Sequence, residues 1–173
     1  MLVIHKAIRA AGGHDAEAIA SIYEHYVLHS TANFEEVPPT ADEITSRMTA
    51  LLERGYPWLV LEVQDRVVGY AFAGPYKERS AYRYTVEDSI YVCNDHRRAG
   101  IGRALLSALI NDCSQRGFRH MMAVIGDSCN IASVKLHTQL GFRRIGLAEN
   151  IGFKHGRSLD VVYMQRVLEN DQA

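Results

Sequence analysis

Ser89-Ile90-Tyr91-Val92-Cys93-Asn94-Asp95-His96-Arg97-Arg98-Ala99-Gly100-Ile101-Gly102-Arg103-Ala104-Leu105-Leu106 is the stretch that decides the fold. It reads as a strand, a short basic loop carrying Arg-Arg-x-Gly-x-Gly, and the first turns of an amphipathic helix. In such a loop, successive backbone N–H groups can converge on one concavity, and the helix N-terminus behind them adds about half a positive charge. Together they suit a phosphate or diphosphate. Glycine matters because a Cβ would hold the ligand off the backbone. A Gly-x-Gly pair alone is also compatible with a plain strand–helix turn bearing surface arginines, so the surrounding pattern has to decide.

Working outward, Val3 to Arg9 reads as a first strand, broken by Gly12-Gly13, with His14 or Asp15 able to cap the helix that follows. Ile19, Ile22, Tyr23, Tyr26 and Val27 recur at helical spacing. Residues 30–39 form a loop ending in Pro38-Pro39. Thr40 with Glu43 then has the capping-box pattern, and Ile44, Met48, Leu51 and Leu52 carry a second helix up to Gly55. Trp58 to Val63 and Val67 to Ala73 read as a hairpin joined at Gln64-Asp65-Arg66. A polar, aromatic connection from Tyr76 to Arg83 leads to the strand Tyr84 to Val92. After the basic loop come a helix from Gly100 to Arg116, a strand from Phe118 to Ile125, a helix from Asn130 to just before Gly141, and last strands at Phe142 to Leu147 and Leu159 to Val167, with Gly152 to Arg157 as their turn.

The order β-α-α-β-β-β-α-β-α-β-β predicts an α/β (α+β) fold: a single mixed, mostly antiparallel sheet with helices on both faces. Strand–helix alternation fails in the first half, which excludes a doubly wound dinucleotide fold. The loop has neither Gly-x-Gly-x-x-Gly nor Gly-Lys-Ser/Thr, so NAD and ATP sites are poorly supported. A chain of 173 residues suits one domain spanning 1–173. Its apolar residues (47%) can build a sizeable core, and its charged residues (23%) a soluble surface. A net charge of −1 argues against a general binder of nucleic acid or acidic membranes. The basic cluster at 97, 98 and 103 is local, as a small phosphorylated ligand requires. Cys93, Cys113 and Cys129 lack metal-ligand spacing, and their odd number fits a reducing cytoplasm. At the end of a strand, Cys93 reads better as a small packed residue than as a nucleophile. No apolar run approaches the ~20 residues needed to span a bilayer.

With Arg-Arg-x-Gly-x-Gly after a strand, Asn130-x-x-Ser133 opening the next helix and Gly141-Phe142 closing it, this order resembles the GCN5-related N-acetyltransferase superfamily. A narrower resemblance is to the phosphinothricin and methionine sulfoximine N-acetyltransferases. It rests on Pro75 through Val92, on Ala123-Val124-Ile125-Gly126, Lys135-Leu136-His137 and Gly152 through Val161, and on the aromatic in Thr31-Ala32-Asn33-Phe34. The resemblance implies acetyl-CoA as cosubstrate and no metal. The diphosphate would lie on Arg97, Arg98, Ala99, Gly100, Ile101, Gly102 and Arg103, and the pantetheine arm along Ile90, Tyr91 and Val92, with Asn130 and Ser133 nearby. It further implies a small amino-acid substrate and a homodimer.

Acetyl transfer from a thioester to an amine requires a deprotonated amine, a polarised carbonyl, a stabilised leaving thiolate and two substrates held together. Glu87, in an apolar and aromatic run, is the expected base, its pKa raised by partial desolvation. A strand N–H near Val92 is the expected carbonyl donor. His137 occupies the position where many superfamily members carry a tyrosine that protonates the thiolate. An imidazolium could do that, or the residue could simply shape the pocket. Substrate contacts are expected from Phe34, Lys77, Glu78, Arg79, Tyr84, Glu87, Asp88 and Ser89, with Arg83 adding positive charge and Phe34, Tyr82 and Tyr84 forming apolar walls. By strand alternation Asp88 points to the face opposite Glu87, away from its pocket unless a bulge intervenes. The competing readings are acetylation of another small amine or a protein N-terminus, and a catalytically silent acetyl-CoA sensor.

Overall fold

The computed structural model describes residues 6–168. The element order matches the expectation: β1 (Lys6–Ala10), α1 (Ala16–His29), α2 (Ala41–Glu53), β2 (Trp58–Val63), β3 (Arg66–Pro75), β4 (Thr85–Val92), α3 (Ile101–Gln115), β5 (His120–Gly126), α4 (Ile131–Gln139), β6 (Arg143–Lys154) and β7 (Arg157–Val167). Residues 3–5 of the expected first strand lie outside the described residues. One seven-stranded sheet runs β1-β2-β3-β4-β5-β7-β6. Among the described residues only β4 and β5 pair in parallel, through Thr85, Val86 and Glu87 against His120, Met121 and Met122. Beyond Glu87 the two strands separate.

Each face of the sheet buries its own apolar cluster. On one face α1 and α2 bring Ile19, Ile22, Val27, Ile44 and Met48 against Trp58, Val60 and Tyr70. On the other α3 brings Ile101, Leu105, Leu106 and Leu109 against Leu59, Leu61, Ala71, Val86 and Met121. Period-2 alternation along β2 sends Val60 to the first cluster and Leu59 and Leu61 to the second. The capping box forms as expected. The Glu43 N–H donates to Thr40 Oγ1 (3.2 Å), and the Thr40 N–H donates to Glu43 Oε2 (2.7 Å).

The β6–β7 hairpin is longer than the sequence predicts. Lys154 pairs with Arg157, so the turn is only His155-Gly156, both at positive φ (51° and 73°), as a two-residue turn between right-twisted strands requires. A register shift between Ala148 and Gly152, with Asn150 at φ 56°, interrupts the alternation that would have marked β6 through to Lys154.

Leu105 is fully buried under β3 and β4. Leu105→Ala is expected to cost ~2–5 kcal/mol. Val37→Ala, at a residue 79% exposed, is expected to stay within about 0.5 kcal/mol. Denaturant midpoints of the two variants check this contrast.

Candidate active site

The separation of β4 from β5 opens a cavity of about 830 Å³. Its walls include Asp88 through Val92 from β4, Val124, Ile125 and Asp127 at the end of β5, the basic loop, Asn130, Ser133 and His137 of the α4 segment, and Ser30 to Ala32.

At the mouth, Arg98 (φ 63°) and Gly100 (φ 77°) adopt left-handed conformations within the loop before α3. This bends successive N–H groups toward one side, and the N–H groups of the first helical turn have no intrahelical partner. Arg97, Arg98 and Arg103 are exposed around them, and Arg97 rests over the Tyr26 ring, 5.4 Å from its centroid. Anion-binding geometry and positive charge therefore coincide, which suits a diphosphate.

Along the cleft, the Cys93 N–H donates to Val68 O on β3 (2.8 Å). By strand alternation the main-chain groups of Tyr91 also face β3, whereas those of Ile90 and Val92 face the cleft. Tyr91 therefore cannot offer its main chain to a ligand there, contrary to the expectation. Val92 is already engaged: its N–H donates to the Tyr26 hydroxyl (3.2 Å), which donates in turn to Val92 O (2.8 Å). The strand-edge donor aimed into the cleft is the Ile90 N–H.

Glu87 is the last β4 residue paired with β5, so it stands at the fork where the cleft begins, one residue before the lining, which on β4 starts at Asp88. It shares a face with Tyr91, which packs on Tyr23 and Tyr26 of α1. Burial pushes the Glu87 carboxyl up to about 7. Its neighbour Asp88 adds to the rise, and Lys77 opposes it.

Asp88 is buried on the opposite face, as alternation requires, but it is part of the cavity wall. His137 Nε2 lies 3.2 Å from Asp88 Oδ1, and His137 Nδ1 lies 2.8 Å from the Ser133 carbonyl oxygen. Burial alone would push the imidazole down. The Asp88 hydrogen bond and charge, with the Ser133 carbonyl, raise it above its usual value instead. Asn130 caps α4, its Oδ1 accepting from the Ser133 N–H (3.3 Å) while its Nδ2 donates to Gly126 O (3.3 Å). Ser89 lines the cleft.

Lys77, Glu78, Arg79 and Tyr84 lie outside this cavity. Lys77 sits over the Tyr76 ring (5.1 Å), and Glu78 pairs with Arg54 at an exposed site. Tyr84 is no apolar wall, because the guanidinium groups of Arg83 and Arg119 contact its ring at 4.8 and 4.5 Å. Phe34 is also outside the lining. Its ring lies over Gly126 and Gly152, where an added Cβ would fall 2.6 and 2.3 Å from ring carbons.

Three groups escaped the sequence reading. Lys154 is 1% exposed and ties the hairpin tip to the 30–34 segment: its Nζ donates to Asn33 O and Asn33 Oδ1, both at 3.0 Å. Burial pushes this ammonium down, and Glu36 and Glu35 oppose the shift. Arg157 donates to Asp127 Oδ2 (2.7 Å), which also accepts from Thr31 Oγ1 (3.3 Å). Tyr26 is the third. No local pattern marks these contacts, because each joins residues far apart in the chain.

The Acetyltransferase (GNAT) domain model matches residues 8–163. The chain belongs to the GNAT acetyltransferase family. It is 45% identical over 161 residues to a phosphinothricin N-acetyltransferase of Alcaligenes faecalis, covering 93% of this chain and 82% of that protein. It is 39% identical over 166 residues to an L-methionine sulfoximine/L-methionine sulfone acetyltransferase of Salmonella typhimurium, covering 96% of each. Among solved structures, a phosphinothricin acetyltransferase from Sinorhizobium meliloti in complex with acetyl-CoA superimposes with a TM-score of 0.92 at 42% identity, over 96% of this chain and 90% of that one.

The glycine contacts lead to a test. Gly152→Ala is expected to displace the Phe34 ring and destabilise by ~1–3 kcal/mol, as overpacking does. In a Phe34→Ala background the same change should be nearly neutral. A double-mutant cycle by denaturant unfolding measures the difference.

Proposed function

We propose that this acetyltransferase uses acetyl-CoA to acetylate the α-amine of phosphinothricin-like amino acids: L-phosphinothricin, methionine sulfoximine and methionine sulfone. Detoxification is its physiological role. The observation that carries the reading is the position of Glu87. A half-buried carboxyl with a pKa of about 7 stands where β4 parts from β5, one residue before the wall of a cleft whose mouth is an arginine-lined helix N-terminus. That protonation range suits a general base working near neutrality.

The basic loop from Arg97 to Arg103 would hold the diphosphate, and Ile90, with Asn130 and Ser133, the pantetheine arm, since Tyr26 already takes both main-chain groups of Val92. Acetyl-CoA supplies an acetyl group on a thioester. Glu87 takes the amine proton, directly or through water. The Ile90 N–H is placed to polarise the acetyl carbonyl, a role expected nearer Val92 from sequence. His137 stands on the other side of β4, where it can offset charge on the leaving sulfur. Lys77 and Arg79 remain candidates for the substrate's carboxylate and tetrahedral centre, since Lys77 is near enough to Glu87 to bias its proton affinity.

We also propose that the chain pairs with a second copy through the sheet edge at β6. Ile145, Leu147, Ile151 and Phe153 are all exposed there, the last by 69%. Exposed apolar edge strands are otherwise an aggregation hazard. A cytoplasmic setting agrees with three free cysteines. Among the described residues no helix is long and apolar enough to cross a membrane.

Thiol release from acetyl-CoA should be compared for phosphinothricin, methionine sulfoximine, methionine sulfone, glutamate, spermidine and a lysine peptide. The first three are expected to turn over efficiently, and Glu87→Gln to lower kcat by ~10²–10⁴-fold. Turnover confined to spermidine or the peptide would refute the substrate assignment. Because the base must be ionised, kcat/KM should fall about tenfold per pH unit below the Glu87 pKa of about 7. Sedimentation should show a dimer that Ile151→Lys with Phe153→Glu converts to monomer.

A further inference from the structure

We infer that Asp88 is a positioning residue for His137: it holds the imidazole in the cleft wall with a proton on each ring nitrogen, as a fixed positive charge. Nothing in the family resemblance assigns this role. The sequence places Asp88 among substrate contacts and on the face opposite Glu87; the structure sets it against His137 of α4 on that face.

The geometry carries the argument. The Ser133 carbonyl can only accept a hydrogen bond, so His137 Nδ1, 2.8 Å from it, must carry hydrogen. Nε2 faces Asp88 Oδ1 at 3.2 Å. The pair lies out of solvent, with His137 at 3% and Asp88 at 8% exposure. An ionised carboxylate in such a place is costly unless a cation compensates it. A protonated His137 is that cation. Glu87 interacts with Asp88 through its charge; among the described residues, the groups packed directly on the pair are uncharged. The Phe142 ring stands edge-on to the imidazole at 4.9 Å, and the Cys113 thiol, close enough to interact with Asp88, is pushed up to about 12 by burial and so stays neutral. Asp88 Oδ2 is buried and has no hydrogen-bond partner among the described residues, which leaves Oδ1 and the imidazole as the contact that fixes this carboxylate.

The chemical consequence rests on the acetyl-transfer reading. As the N–C bond forms, Glu87 receives the amine proton on one side of β4. As the C–S bond breaks, the sulfur keeps its electron pair, and the imidazolium on the other side offsets that charge. A thiol with a pKa of about 8.5 then takes its proton from water after leaving. His137 need not surrender a proton, which agrees with both its N–H groups being held. Asp88 also repels ionisation of Glu87, so one carboxylate tunes both groups.

The test is an NMR pH titration of the histidine rings in the unloaded protein, with His137 assigned from the signal lost in His137→Gln. The wild-type ring is expected to titrate above the ordinary value of about 6.5, and in Asp88→Asn below it. A wild-type His137 titrating at or below that ordinary value would overturn the inference. So would a pKa unchanged in Asp88→Asn. The wild-type titration decides the charge state even if the variant fails to fold. In kinetics, Asp88→Asn is expected to lower kcat by roughly 10²-fold, the low end for losing acid–base assistance, and to move the acid limb of the pH profile to lower pH. A structural defect alone would not move that limb. Because the titration is read without acetyl-CoA or amine, it stands apart from the substrate panel. A charged His137 in a protein that acetylates none of the amines would refute the proposed function and leave the Asp88–His137 pair in place.

Discussion

The parting of two parallel strands is the constraint on which the rest depends. β4 and β5 pair through three residues each and then diverge, while β4 stays paired to β3 as far as Val92 and β5 to β7 as far as Gly126. Each strand is therefore rigid along its outer neighbour and open along its inner one. The exposed inner edge of β4 has backbone groups that need partners. Tyr26 satisfies Val92 from the α1 side, and the Ile90 amide is left facing the cleft. The floor survives because α3 packs Leu105, Leu106 and Leu109 beneath it, all fully buried.

Strand alternation then converts one dipeptide into two opposed devices. Glu87 and Asp88 are adjacent in sequence and point to opposite faces of β4. On the α1 face partial burial keeps a carboxyl near the protonation range of a working base. On the α4 face full burial demands a counter-charge, and His137 is there to supply it. Because the two carboxyl groups repel, neither can be tuned alone.

The sequence carried most of the fold. Element order, the capping box at Thr40 and the Gly-x-Gly loop before α3 all follow from local chemistry, and each was legible. The β6–β7 hairpin was not fully so. The irregularity between Ala148 and Gly152 breaks the period-2 signal, and Gly152 looked like a turn when it is a strand residue flattened against Phe34. In the site, the residues of the basic loop were readable because backbone conformation is local. The Asp88–His137 pair spans 49 positions and the Lys154–Asn33 tie spans 121, so no spacing in the chain announces them. Tyr84 misled because an aromatic side chain reads as a wall until its neighbours are known, and here they are two arginines.

The central claim is that the open edge of β4 receives the acetyl donor. Amide hydrogen exchange along β4, measured with and without acetyl-CoA, tests it most directly. Protection is expected to rise at Ile90, whose N–H faces the cleft, and to stay level at Val86, which is already paired with Met121. An unchanged Ile90 amide in the presence of saturating acetyl-CoA would contradict the account.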